Sequence, residues 1–274
     1  MNKFIDGPLP IKEKDYTTFI AWFDDHYPHN LFFDAKLQVL KDSAPDYLIL
    51  GGDMLNMDPF NHWAKNVPKL TKNLPIAKPY YEAANEDFFK PIREAVGEKT
   101  RIIYIFGNHE QWANKAIGML PEGEGYFEVE NNISLNFVDA FVKHRRGIAL
   151  GKLWFYHGDN IPFSKNQHAR KMTQYLHRSV MFGHYHDYEV HSLHVASDEE
   201  PIIGISVPCS TICNPVSYGR DLPNNRSDGF GYGEIRPDGS FDAQVALIQN
   251  GEFTFRGKRY KSKELTPRKL KYEL

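Results

Sequence analysis

Asp24 with His26, Asp53, Asn108 with His109, His157, and His184 with His186 form a set of carboxylates, imidazoles and one amide, with no thiolate among them. Donors of this kind suit hard or borderline divalent ions, manganese first, then iron, zinc or nickel, and they argue against a structural zinc cage. Seven of these residues are candidate ligands, enough for two four-ligand shells if Asp53 serves both. A bridging carboxylate can hold two ions roughly 3.5–4 Å apart, with one ion activating water and both neutralising charge on phosphoryl oxygens. The chemistry these residue types point to is hydrolysis of a phosphate ester.

Each group follows a short apolar run. Residues 19–23 lead into Asp24, residues 47–50 into Gly51-Gly52-Asp53, and residues 102–106 into Gly107-Asn108-His109-Glu110. Residues 153–156 lead into His157-Gly158-Asp159, and residues 180–182 into Gly183-His184-Tyr185-His186. Short β-rich apolar runs bounded by Gly or polar residues read as strands buried on both faces. The ligands then lie just past the carboxyl ends of strands, where α/β proteins build their sites because the strands hold the backbone while the loops supply chemistry. Helical spacing over 31–41 (Phe33, Leu37, Leu40) and 81–96 (Ala84, Phe88, Ile92, Val96) supplies crossover helices. Residues 58–79 read as a rim or lid, and residues 111–152, with a basic cluster at 143–146, as a substrate-facing cap. Strands follow at 202–207, 230–235 and 241–248, the last two joined by the turn Pro237-Asp238-Gly239-Ser240.

In this order the motifs resemble the calcineurin-like metallophosphoesterase superfamily: Asp-x-His at Asp24-Asp25-His26, Gly-Asp at Gly52-Asp53, Gly-Asn-His-Glu at 107–110, a lone His-Gly at His157-Gly158, and Gly-His-x-His at 183–186. The resemblance spans roughly residues 20–190, and every motif is filled without substitution. It implies that Asp24, His26, Asp53 and His186 hold one ion and that Asp53, Asn108, His157 and His184 hold the other. It also implies that His109 protonates the leaving oxygen and that Glu110 orients a ligand histidine from behind. The fold it implies is α/β, a four-layer αββα sandwich of two mixed β-sheets flanked by helices.

A chain of 274 residues with 41% hydrophobic content supports one large domain, expected over 1–255. No apolar run is long enough to span a bilayer, and residues 1–15 lack the apolar region of a signal peptide, so no membrane partner and cytoplasmic residence are the expectations. Cys209 and Cys213 read as ordinary reduced thiols. Residues 256–274 carry eight basic side chains against two acidic ones, net +6, on a chain whose total is −2. This basic tail could attract a nucleic acid, although such runs are more often solubilising termini.

Protein phosphatases of the resembled superfamily carry an Asp-Arg-Gly element after the second motif, and here that stretch reads Met54-Leu55-Asn56-Met57-Asp58-Pro59. The missing arginine disfavours a phosphoprotein substrate, which leaves a phosphodiesterase or nuclease, the preferred reading, or a phosphomonoesterase acting on a small metabolite. Tyr27, Phe60, Trp63 and Trp112 are candidates for stacking a base, with packing as the competing role. A binding protein that has kept the fold and lost catalysis is the remaining alternative, one that fully occupied motifs disfavour.

Overall fold

The computed structural model of the chain describes residues 3–60, 67–161, 167–194, 200–211 and 226–266. The elements run β1 (Gly7–Leu9), β2 (Thr17–Trp22), α1 (Phe33–Ser43), β3 (Tyr47–Leu50), α2 (Val67–Ala84), α3 (Lys90–Val96), β4 (Arg101–Ile105), α4 (Glu110–Met119), α5 (Val129–Asn132) and β5 (Ala140–Val142). They continue with β6 (Ile148–Leu150), β7 (Leu153–Tyr156), α6 (His168–Leu176), β8 (Val180–Phe182), β9 (Glu189–Leu193) and β10 (Ile202–Ser206). The last are β11 (Asp228–Ile235), β12 (Phe241–Ile248), β13 (Glu252–Phe255) and β14 (Lys258–Lys261).

Two six-stranded sheets form, one in the order β12-β11-β2-β3-β4-β5 and the other β1-β6-β7-β8-β10-β9. Both are mixed: β2 to β5 run parallel while β11 joins β2 antiparallel, and β7, β8 and β10 run parallel between antiparallel neighbours.

Period-two alternation makes the layers. On β2 and β3, Phe19, Ala21 and Ile49 join a core with Leu153, Phe155 and Met181 of the second sheet. The alternate residues Ile20, Trp22, Leu48 and Leu50 face a second core with α1, α2 and α3. The outer face of the second sheet packs Tyr156, Val180 and Phe182 against Ala169 and Met172 of α6. Strands with both faces apolar therefore sit between helices on each side, and the expected four-layer sandwich is the fold. No helix among the described residues is long and apolar enough to cross a membrane.

Three placements differ from the sequence reading. The strands after the last motif do not all go to one sheet: β10 joins the second sheet, whereas the β11–β12 hairpin extends the first through β2. Residues 111–152 carry α4 and α5, then β5 and β6, which join one sheet each. The basic run begins inside structure, since β13 and β14 form a hairpin with Phe253, Phe255 and Tyr260 buried against the first sheet's helical side. Trp63, Cys213 and residues 267–274 lie outside the described residues.

Candidate metal centre

The five ligand segments do not share one sheet edge. Asp24, His26, Asp53 and Asn108 follow β2, β3 and β4 of the first sheet, while His157, His184 and His186 follow β7 and β8 of the second. The loops after β2 and β3 run on together, Asp24 N–H donating to Gly52 O (3.1 Å), His26 N–H to Asp53 O (2.9 Å) and Tyr27 N–H to Met54 O (2.7 Å). Five of the seven expected ligands leave their strands with left-handed backbone: Asp24 (φ 54°), His26 (φ 50°), Asp53 (φ 50°), His184 (φ 73°) and His186 (φ 60°). Each such conformation costs a non-glycine residue on the order of 1–3 kcal/mol and persists only where the surroundings enforce it. The turns redirect the side chains, which would otherwise alternate between faces of the sheets, into one space.

Each carboxylate is clamped by a backbone amide of a different motif. Asp24 Oδ2 accepts from His184 N–H (2.7 Å), a bond that crosses from one sheet to the other, and Asp53 Oδ1 accepts from His109 N–H (2.9 Å). Close approach of the strands explains two motif glycines. A Cβ on Gly107 would strike Asp53 Oδ1, and one on Gly183 would strike Asp24 Oδ2.

The other oxygens face imidazoles. Asp24 Oδ1 is buried, accepts no hydrogen bond, and lies 3.4 Å from His186 Nε2 and 4.0 Å from His26 Nε2. Those two nitrogens are 3.3 Å apart. Asp53 Oδ2 lies 3.4 Å from His157 Nε2, and Asn108 Oδ1 lies 3.0 Å from the same nitrogen. Bonds of about 2.0–2.2 Å around a tetrahedral divalent ion place neighbouring ligand atoms roughly 3.3 Å apart. The groups Asp24–His26–His186 and Asp53–His157–His184 each offer ligand atoms within 4.8 Å of one another. An orphaned buried carboxylate oxygen beside two imidazole nitrogens fits a cation.

Ring orientation agrees. His157 Nδ1 faces Gly51 O at 3.2 Å, and His109 Nδ1 faces Asn56 O at 2.9 Å. A backbone carbonyl there selects the Nδ1–H tautomer and turns Nε2 toward the centre. His109 Nε2 is 3.7 Å from Asp53 Oδ2, its ring edge-on to His26 (centroids 4.6 Å) and against the Trp112 indole (3.8 Å).

Charges inside the cluster are strongly coupled. Burial disfavours an ionised Asp53, yet the imidazoles of His109 and His157 hold its carboxyl well below the usual range. Burial would lower His157, but the Asp53 carboxylate overrides it and pushes the imidazole up to about 10. Burial and then His157 pull His184 down to about 4, and burial and then His109 hold His26 well below an ordinary histidine. Without metal, Asp53 and His157 form an ion pair while His26 and His184 stay neutral.

Glu110 corrects one expectation. Its carboxylate accepts from the backbone N–H groups of Asp53 (3.0 Å), Leu55 (3.2 Å) and Gly107 (2.8 Å) and from the Tyr104 hydroxyl (2.5 Å), so it holds the Asp53 loop and not a ligand histidine. Of the stacking candidates, Tyr27 and Phe60 are buried packing residues, and Trp112 lies against His109. Cys209 is a buried free thiol pushed up to about 12, first by burial.

Lys36 and Arg226 escaped the sequence reading, whereas Asp25 and Asp159, as neighbours of ligands, read as supporting or exposed side chains and not as ligands. Asp25, between two ligands, forms a buried ion pair with Lys36 of α1, whose ammonium also lies 4.1 Å from the Trp22 ring centroid. A lysine three residues from Phe33 and four from Leu40, on the apolar face of its helix, was the available signal. Asp159 pairs with His144 (2.7 Å) and Arg145 (3.4 Å). Arg226 abuts the last motif, with Ser227 N–H bonded to His186 O (3.0 Å), its Nη2 bonded to Thr211 O (2.5 Å) and its Nε buried without a partner.

No protein-family model matches the sequence, and no curated protein sequence matches it. Among solved structures, a Vps29 single mutant from Entamoeba histolytica aligns over 85% of this chain and 99% of its own, at 13% identity and a TM-score of 0.41. A candidate diadenosine tetraphosphatase aligns over 88% of this chain and 98% of its own, at 11% identity and a TM-score of 0.35. At these scores neither likeness carries an argument about activity.

Proposed function

We propose that this protein is a two-metal phosphoesterase acting on phosphodiesters. The observation that carries the reading is the pair of adjacent donor groups, Asp24–His26–His186 and Asp53–His157–His184, formed by side chains from loops of both sheets. Asp24, His26, Asp53 and His186 would hold one ion, and Asp53, Asn108, His157 and His184 the other, with manganese as the first choice for both. When bound, the ions supply Lewis acidity toward water and toward phosphoryl oxygens.

The chain's own groups do the rest. Asp53, clamped through Oδ1, keeps Oδ2 for the shared position, and Glu110 keeps the loop of Asp53 fixed. His109 is anchored through Nδ1 with Nε2 facing the cluster, and from Nε2 it delivers a proton to the leaving oxygen. The absence of arginine from Met54 to Pro59 supports a diester over a phosphoprotein monoester.

Turnover of bis(p-nitrophenyl) phosphate and p-nitrophenyl phosphate, with and without manganese, tests the reading. Diester hydrolysis dependent on metal is expected. Faster monoester hydrolysis would transfer the protein to the phosphomonoesterases, and no turnover of either compound with two ions bound would leave only a binding role.

A further inference from the structure

A second charged site lies on the outer face of the second sheet. Arg145, Arg146, Arg178, Trp154 and Tyr156 line a cavity of about 290 Å³, with exposed Asp6 as its acid. Trp154 and Tyr156 are two residues apart on β7 and project from one face with nearly parallel rings, centroids 6.0 Å apart at 19°. The Arg178 guanidinium lies 4.2 Å from the Trp154 ring centroid, and its Nε donates to Leu176 O at 3.2 Å, so the plane of the fork is set before any ligand arrives. Among the described residues neither Arg146 nor Arg178 has a carboxylate within ion-pair distance. The hairpin β13–β14 behaves differently, its bases being paired with acids.

The cavity adjoins the metal centre. Tyr156 immediately precedes the ligand His157, and Arg145 of the cavity shares Asp159 with His144. Through Arg145 the rim of the cavity is thus tied to Asp159, two residues beyond His157.

We propose that this cavity binds the backbone of a single-stranded nucleic acid, with Arg146 and Arg178 on phosphates and the half-buried Trp154 as the aromatic of its wall toward a base. Guanidinium forks match phosphate oxygens, and aromatic faces beside a cationic groove accept bases irrespective of sequence. The proposal deepens the phosphodiesterase reading and rests on it only for the fate of the strand, because binding here needs neither metal nor turnover.

The test is fluorescence anisotropy of a labelled single-stranded oligonucleotide with the full chain in chelator, wild type against R146Q/R178Q, across a salt series. The double variant is expected to bind at least tenfold more weakly. Two lost phosphate contacts should also reduce the slope of log affinity against log salt by about 1.4, at roughly 0.7 per contact for single strands. Arg178→Lys keeps the charge without the planar fork and should recover part of the affinity. Turnover of bis(p-nitrophenyl) phosphate by R146Q/R178Q should equal that of wild type, and an unchanged thermal midpoint shows that the variant folds whether or not the diester is turned over.

Unchanged affinity and slope in the double variant overturn the proposal. Competition by inorganic phosphate and pyrophosphate separates the sources of the anion: if either binds the cavity as tightly as the strand does, the site takes a free anion and the strand proposal falls. Loss of strand binding in the double variant, with no diester turnover by wild type in manganese, would sustain this site and remove the phosphodiesterase reading. The converse result would do the opposite.

Discussion

The candidate metal centre and the C-terminal hairpin both concentrate charge, and they treat it in opposite ways. At the centre, Asp24, His26 and Asp53 are buried on left-handed backbone, and Asp24 Oδ1 and His26 Nδ1 have no hydrogen-bond partner. On the hairpin, Arg256 pairs with Glu234, Lys258 with Asp42, and Arg259 and Lys261 both with Glu252, all at the surface. The first arrangement is costly to the isolated fold and makes sense for a ligand that returns the cost. The second is complete without one. Charge density alone therefore does not mark a site; unsatisfied charge on enforced geometry does.

The largest effect should follow from breaking the shared ligand. Asp53→Asn removes the charge both ion positions depend on, and the variant should retain fewer than two equivalents of manganese and lose diester turnover by at least about ten-thousandfold, the upper end of the loss of one general acid. Elemental analysis after desalting reads the first, and two full equivalents would refute the bridge. His109→Ala should keep both ions, since its ring is outside the proposed shells, yet slow diester cleavage by roughly 10²–10⁴-fold. A substrate with a p-nitrophenolate leaving group, which hardly needs a proton, should lose less than one leaving as an alkoxide. Equal losses would take His109 out of the acid role.

The comparison also separates what could be read from the chain. Strand ends carrying the ligands were legible because a run apolar at every position has one use in an α/β fold, and Gly-Asp or Gly-His marks where it stops. The β11–β12 hairpin was legible from its turn. Membership of sheets was not: β7 and β8 look like β2 and β3 in hydropathy, and only pairing partners distant in sequence send them to the second layer. The left-handed ligands were only faintly signalled, because Asp and His enter positive φ more readily than most side chains but do so in a small minority of cases, and here neighbours impose the conformation. The basic run at 256–261 misled for a related reason, as its acids Asp42 and Glu234 lie far away in sequence.

Within the hairpin the apolar side chains should matter more than the charges. Tyr260 is 6% exposed, stacks on Phe253 (centroids 5.4 Å, 10°) and donates to Asp42 Oδ2 at 2.9 Å. Tyr260→Ala should cost about 3 kcal/mol, the lower end for a large buried aromatic. Urea unfolding reads it, and a loss near zero would mean that the hairpin is not part of the cooperative core.

At the centre, loading should be linked to pH through one group. His157 is held at about 10 in the metal-free chain, above its ordinary value, whereas His184 at about 4 and His26 are already neutral. Below about 10 an incoming ion must displace the His157 proton, so apparent affinity should rise about tenfold per pH unit, or roughly 1.4 kcal/mol. The raised value also stabilises the metal-free fold at low pH, a contribution complete below about 6.5 and lost as pH climbs through 10. Calorimetry in buffers of different ionisation enthalpy should count about one proton released near pH 8. None released would mean that His157 enters the metal-free state neutral.

The smallest effect belongs to the surface pairs. Glu252 is pulled down to about 2 by hydrogen bonds from Lys261 and then Arg259, but these groups are exposed, and solvent and salt screen what they gain. Replacing Arg256, Arg259 and Lys261 together by Gln should leave the thermal midpoint nearly unchanged at high salt and lower it only slightly at low salt. The same triple variant should leave oligonucleotide binding close to wild type, because cations already committed to acids release few counterions on meeting a phosphate backbone. A large loss of strand binding here, against a small one in R146Q/R178Q, would reverse the comparison and make the hairpin the cationic surface that matters.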